Sequence, residues 1–235
     1  MKNLSRIGRI LFAIAMAEFG IQYLLHAIRR GPTLGPPFSP VHPFWGYFTA
    51  VVLIIAAVGI VTGKQTRCVA IALAITLLLR ALIVYAPRLA AHPHDPGPWT
   101  SGFEILAMCG AALVISGIAI GPARWLFAIS LGVFGTQHFL YAKFVATLVP
   151  SWIPGHLFWA YFVGAAFVAS ALSIAIEKYA RLASALLGLM FFLWVISLHL
   201  PRVAAALHNG DEWTSAFVAL AMCGGSWVLA GIVKR

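Results

Sequence analysis

Long apolar runs alternate along the chain with short polar connections. Each run is close to the ~20 apolar residues that a helix needs to cross the hydrocarbon core of a bilayer. The runs fall at about 8–28, 44–62, 68–86, 100–119, 123–142, 157–176, 181–200 and 214–233. They predict eight transmembrane helices, hence an all-α polytopic membrane protein, because a segment in lipid must satisfy its backbone hydrogen bonds internally. The connections are too short for a soluble catalytic domain. The first run imitates a cleavable leader, with Lys2, Arg6 and Arg9 ahead of Ala15-Met16-Ala17. Arg9, however, stands inside the apolar region, hydrophobicity continues to Ala27, and the segment recurs in mid-chain, so it is expected to be a retained helix.

That recurrence organises the chain. RILFAIAMAEFGIQYLLHA from Arg9 returns as RWLFAISLGVFGTQHFLYA from Arg124, a shift of 115. One residue is lost in the next connection and the shift becomes 114: His42 to Phe48 aligns with His156 to Phe162, Pro87-Arg88 with Pro201-Arg202, Trp99-Thr100-Ser101 with Trp213-Thr214-Ser215, and Ala107 to Gly110 with Ala221 to Gly224. Register held this far predicts a tandem duplication of a four-helix unit, residues 1–120 and 121–235. An even number of spans per unit gives both copies the same orientation, a parallel repeat about an axis along the membrane normal. The expected architecture is two four-helix bundles side by side.

Composition agrees with lipid as the solvent. Hydrophobic residues make up 62% of the chain and charged residues 9%, too few to clothe a soluble globule of this size. The net charge of +10 does not imply nucleic acid, because the basic residues are scattered through the connections. Lys2, Arg6, Arg9, Lys64, Arg67, Arg124, Lys178, Arg181, Lys234 and Arg235 fall on one side, against Arg29, Arg30, Arg88, Lys143 and Arg202 on the other, with Arg80 inside a span. The positive-inside rule then places both termini in the cytoplasm. The cysteines form no CxxC pair and no disulfide framework. All eight histidines gather on or near the opposite, outer side, as do Trp45, Trp99, Trp152, Trp159 and Trp213. An interfacial belt accounts for the tryptophans but not for the histidines, so the outer face is where chemistry is expected.

Each unit resembles the DoxX/DoxD family of small four-helix bacterial membrane proteins. The residues that carry the resemblance are Phe134-Gly135-Thr136-Gln137-His138-Phe139 in a glycine-containing first helix and the VPSWIP segment from Val149 to Pro154. The aromatic start of the following span, Pro201-Arg202 and the small-residue fourth span also fit, and the second unit carries the pattern more fully. The resemblance implies a bacterial inner-membrane protein. Some members are quinone-linked oxidoreductase subunits, so it implies a quinone as cofactor or substrate and other membrane subunits as partners. It supplies no catalytic motif to transfer.

Several residues could carry chemistry. An ionisable group at the centre of a span costs about 2.5–3.5 kcal/mol or more, which makes Glu18, Arg80 and Glu104 functional candidates. Their counterparts Val133, Trp194 and Val218 are uncharged. Arg80 and Glu104 should lie at similar depth, as an ion pair or as a site. Ser101-x-x-Glu104 also has the form of a capping box. Glu18, Gln22 and His26 recur every four residues on one helical face, a polar line suited to proton transfer or to interhelical bonding, and Gln22 returns as Gln137. His138 and His199 replace Tyr23 and Tyr85; as a pair they could hold haem, copper or zinc, or simply pack as satisfied polar groups. Arg88 and Arg202, each after a proline, either snorkel to the surface or receive a carbonyl or anion there. Cys109 and Cys223 sit in matching small-residue stretches that favour close helix packing.

Three functions follow. The first is a quinone- or redox-linked membrane subunit, its ligand near Arg88, Arg202, His138 and Trp159. The second is a small-molecule or proton-coupled transporter, with Glu18, Gln22 and Arg80 along the path. The third is a non-enzymatic anchor or assembly subunit that docks a partner through its outer aromatic face. No nucleotide loop, nucleophile–base pair or clustered metal ligands appear in the sequence, so catalysis by this chain alone is not expected.

Overall fold

A computed structural model describes residues 2–30 and 43–233; His42, Lys234 and Arg235 lie outside the described residues. Among these residues every regular element is helical: α1 (Lys2–Arg30), α2 (Pro43–Thr62), α3 (Thr66–Arg80), α4 (Ala86–Ala91), α5 (Pro96–Ser116), α6 (Ile120–Leu140), α7 (Ala142–Leu148), α8 (His156–Ala175), α9 (Ala180–Trp194), α10 (Leu200–Ala205) and α11 (Gly210–Ile232). Two π-helical segments, Ala81–Tyr85 and Val195–His199, join α3 to α4 and α9 to α10.

Among the described residues, seven helical stretches are long and apolar enough to cross a membrane: Asn3–Arg29, Phe44–Thr62, Thr66–Ala91, Pro96–Ser116, His156–Ala175, Ala180–Ala205 and Gly210–Ile232. Helix α6 has the length, at 21 residues, but Pro122, Arg124, Gln137 and His138 dilute its hydropathy. The exposed faces are apolar, as lipid requires: Val51, Ile55 and Val58 line one side of α2, and Leu182, Leu186, Leu189 and Leu193 one side of α9. The buried core is built from Phe12, Met16, Leu53, Leu73, Phe127, Leu131, Ile174 and Met222.

The packing departs from two self-contained bundles. Neighbour-to-neighbour contact runs α1, α2, α3, α5, α6, α8, α9, α11 and back to α1, with α5 and α11 also touching each other. The last long helix of each half therefore packs on the first helix of the other. Small residues permit this. A Cβ on Gly8 would stand 2.7 Å from the Gly224 carbonyl, and one on Gly110 would stand 2.7 Å from the Ala123 carbonyl. At both seams the backbones approach too closely for a larger residue. Gly224 and Gly110 are repeat counterparts, as are Gly8 and Ala123.

Helix α5 starts earlier than a Ser101 cap would require. It begins at Pro96, and the Asp95 side chain accepts the Gly97 backbone N–H at 3.0 Å. Proline suits the first turn, where its missing N–H costs nothing, so Ser101 and Glu104 lie within the helix and form no capping box. Asn209 caps α11 in the same manner through the Asp211 N–H.

Candidate functional site

The two π segments stand at repeat-related positions, each followed at the second residue by proline, Pro87 or Pro201. Proline cannot donate to the carbonyl four residues back and crowds it. Those carbonyls belong to Ile83 and Ser197, inside the π segments. A π turn absorbs the mismatch without breaking the helix, and such turns concentrate at functional sites. Here they border two cavities, one in each half, at the end of the molecule that carries Trp45, Trp99, Trp159 and Trp213.

The first cavity, of about 520 Å³, is bordered by α1, α2, α3, the first π segment, α4, α5 and α11. Five residues predicted as site or buried-charge groups line it: Gln22, His26, Arg80, Arg88 and Glu104. Tyr23, Thr49, Thr76, Tyr85 and Thr214 add to its polar wall. Arg80 and Glu104 share the cavity without forming an ion pair. The Arg80 guanidinium lies over the Tyr23 ring, 4.5 Å from its centroid, and its buried Nε has no hydrogen-bond partner. Among the described residues Glu104 makes no hydrogen bond or ion pair. Both line the cavity without pairing with each other. Glu18 lies one turn from Gln22 and accepts its amide N–H, with Glu18 Oε2 buried and unpartnered. Arg88 is exposed near the Tyr85 ring, at 5.8 Å, and no carboxylate pairs with it among the described residues.

The second cavity, of about 1010 Å³, is a groove with largely apolar walls, bordered by α6, α7, α8, α9, the second π segment and α10. His138, Trp159, His199 and Arg202 all line it. The lipid-facing Leu182, Leu186, Leu189 and Leu193 form one wall, so it opens sideways. From Tyr179 to Arg202 it follows nearly the whole of one span, ~35 Å at 1.5 Å per residue. His199 Nδ1 is buried without a partner. Arg202 donates to Glu212 at 3.0 Å. His138 is tied by Nδ1 to the Phe134 carbonyl at 2.8 Å, with its ring edge-on to Phe167, centroids 5.1 Å apart. Phe167, Phe191 and Trp194 pack against one another at centroid separations of 5.4–5.9 Å. They fill the space that corresponds to the first cavity.

Gln137 is not among the residues that line the groove. It accepts from Thr100 at 3.1 Å and donates to the Pro96 carbonyl at 3.1 Å, joining α6 to α5. Gln22 accepts from Thr214 at 2.9 Å, joining α1 to α11. The recurring glutamines thus tie each half to the other. Three recurring tryptophans staple the preceding connections: Trp99 donates to Pro93, Trp159 to Pro154 and Trp213 to Leu207. Sequence reasoning missed Thr100, Thr214 and Glu212 as partners, although the recurrence of Trp-Thr-Ser was a visible signal for the first two. No group of three or more His, Cys, Asp and Glu comes together among the described residues.

Residues 4–86 match the DoxX family. Seven apolar helices among the described residues support an integral, multi-pass membrane protein set in a lipid bilayer, and the DoxX match covers its first part. The DoxX segment runs from α1 to the start of α4 and so holds Gln22, His26, Arg80 and the first π turn. The second half, where the DoxX pattern was expected to be fuller, matches a different model instead: residues 127–223 match a domain of unknown function (DUF8561). No curated protein and no solved structure matches the chain.

Proposed function

We propose that the chain is a DoxX-like subunit of a bacterial inner membrane that binds a quinone or comparable lipophilic molecule in the groove of its second half. The reading includes a tandem duplication with eight spans, α6 among them, and both termini in the cytoplasm. Its main support is the convergence of His138, Trp159, His199 and Arg202 on one laterally open, largely apolar groove. An amphiphile with a compact polar head and a long tail suits such walls: the tail along the exposed leucines of α9, the head at the π segment. His199, with a buried ring nitrogen lacking a partner, would meet a head-group carbonyl or hydroxyl, and an unsatisfied buried polar atom costs about 1–3 kcal/mol. Arg202, oriented by Glu212, supplies a nearby cation. Trp159, held by the Pro154 carbonyl, flanks the opening on α8. A quinone bound there would supply a membrane-soluble carrier of electrons and protons to a partner subunit.

The test is extraction of the protein in native lipid, followed by solvent extraction and chromatography of whatever co-purifies. A quinone recovered near stoichiometry from the wild type, and reduced at least about fivefold in His199→Leu and in Arg202→Ala, is the expected result, each having lost about 1 kcal/mol of head-group bonding. Recovery of phospholipid alone, in the same amount from all three proteins, would sink the quinone reading.

A further inference from the structure

The cavity of the first half is a different kind of site. Its walls carry Arg80, Glu104, Gln22, Tyr23 and Thr214 beside apolar residues such as Phe19, Leu53 and Leu77. Charges in such a place are expensive unless paired. Yet Arg80 faces only the Tyr23 ring, and Glu104 has no partner among the described residues. The repeat counterparts at these two positions are Trp194 and Val218, so the scaffold itself does not require charge there. The ion pair that would neutralise both groups most simply has not formed. The arrangement brings a cation and an anion to one cavity without pairing them, as a ligand bearing complementary groups would need.

Arg80 and Arg88 are separated by eight residues along α3, the π segment and α4, ~12 Å by helical rise. Both line the cavity and neither meets a carboxylate among the described residues, whereas Arg202, the counterpart of Arg88, pairs with Glu212. Position 98, the counterpart of Glu212, is proline. Arg88 therefore stands near the Tyr85 ring without a carboxylate partner among the described residues, toward the tryptophan-rich end, with Arg80 deeper inside: two successive positive charges for an anion entering from that end. The planar fork of arginine matches a carboxylate in bidentate fashion. Glu104 shapes the rest of the ligand, because it repels an oxyanion without donors and favours a molecule with an N–H or O–H to give it.

We propose that this cavity binds a small organic carboxylate bearing a hydroxyl or amino group, with Arg80 holding the carboxylate and Glu104 accepting the donor. Gln22, fixed between Glu18 and Thr214, lines the cavity and couples the site to the junction between the halves. The proposal is independent of the groove in the second half.

The experiment is equilibrium binding to the full chain in lipid nanodiscs, with lactate, alanine, propionate, isopropylamine and sulfate as probes. Lactate or alanine should bind saturably and at least about tenfold tighter than propionate, since a hydrogen bond to a charged group contributes about 1.5–3 kcal/mol. Isopropylamine and sulfate should not saturate. Arg80→Gln should weaken binding by at least about tenfold, Arg80→Lys should weaken it less, and Glu104→Gln should erase the preference over propionate. Absence of saturable binding by both lactate and alanine overturns the proposal, as does sulfate binding equal to that of lactate. Wild-type affinity in an Arg80→Gln protein with an unchanged melting transition also overturns it. The wild-type probe series decides the matter even if a variant fails to fold.

Discussion

The two halves of the molecule hold corresponding helices with opposite interiors. In the second, Phe167, Phe191 and Trp194 close the space between α8, α9 and α6, and the accessible volume is displaced outward to a lipid-facing groove. In the first, the counterparts are Leu53, Leu77 and Arg80, smaller or charged, and the volume remains between the helices as a cavity with both polar and apolar walls. The π turn and the Pro-Arg pair are common to both; the residues they border differ. A helix scaffold can thus be kept while the position and polarity of its cavity are exchanged through three or four side chains. Where bulk is lost in one half, polar groups line the space it leaves, and the two proposed ligands, a solute there and a lipophile in the other half, follow that contrast.

Exchanging the key residue should give the largest effect. Trp194→Arg places a cation among Phe167 and Phe191 and should destabilise by about 3 kcal/mol or more, counting the cost of charge in a span and the lost aromatic packing. Arg80→Trp should be tolerated within about 1 kcal/mol, since Leu53 and Leu77 leave room, while filling the cavity. Thermal unfolding of both variants in the same lipid reads the difference, and equal losses would mean that the two interiors are alike after all.

The seams provide a middle-sized test. Gly224→Leu and Gly110→Leu should each cost about 1–3 kcal/mol by forcing backbones apart, because an added Cβ meets backbone at 2.6 Å and 2.7 Å respectively. Gly132→Leu, where a Cβ meets nothing within 4 Å, should leave the melting transition unchanged, and a loss as large as that of Gly224→Leu would argue against the seam as the tight contact.

The smallest effect belongs to the polar ties. Thr100→Val and Thr214→Val should each lower stability by about 0.6 kcal/mol, the average for interhelical hydrogen bonds in lipid. Denaturant midpoints that differ markedly between the two would show that the junctions, alike in geometry, are unequal in energy.

Much of this fold was legible in the sequence. The apolar runs marked the helices closely, because lipid imposes one length and one composition on any spanning segment. The recurrence located the tryptophans, the Pro-Arg pairs and the glutamines. The candidate site was legible as a set of residue types but not as a grouping: Gln22, His26, Arg80, Arg88 and Glu104 meet in one cavity, His138, Trp159, His199 and Arg202 in another, and Gln137 in neither. The expected pairing of Arg80 with Glu104 came from equal depth, which says nothing about rotation around each helix axis. The capping box at Ser101 was displaced by an earlier cap at Asp95, which the Pro-Gly-Pro start of α5 made available.

The sequence by itself determined the membrane class, the helix positions and the contrast in chemistry between the halves, since each depends on composition within a single segment. Tertiary structure alone decided that α1 packs on α11 and α5 on α6, that glutamines serve the junction, and that Glu212 reaches Arg202. Those outcomes depend on which faces of separate helices come together. Helix packing is set by the fit of small residues such as Gly8 and Gly224 across the seam, a property of pairs distant in the chain that no local pattern records.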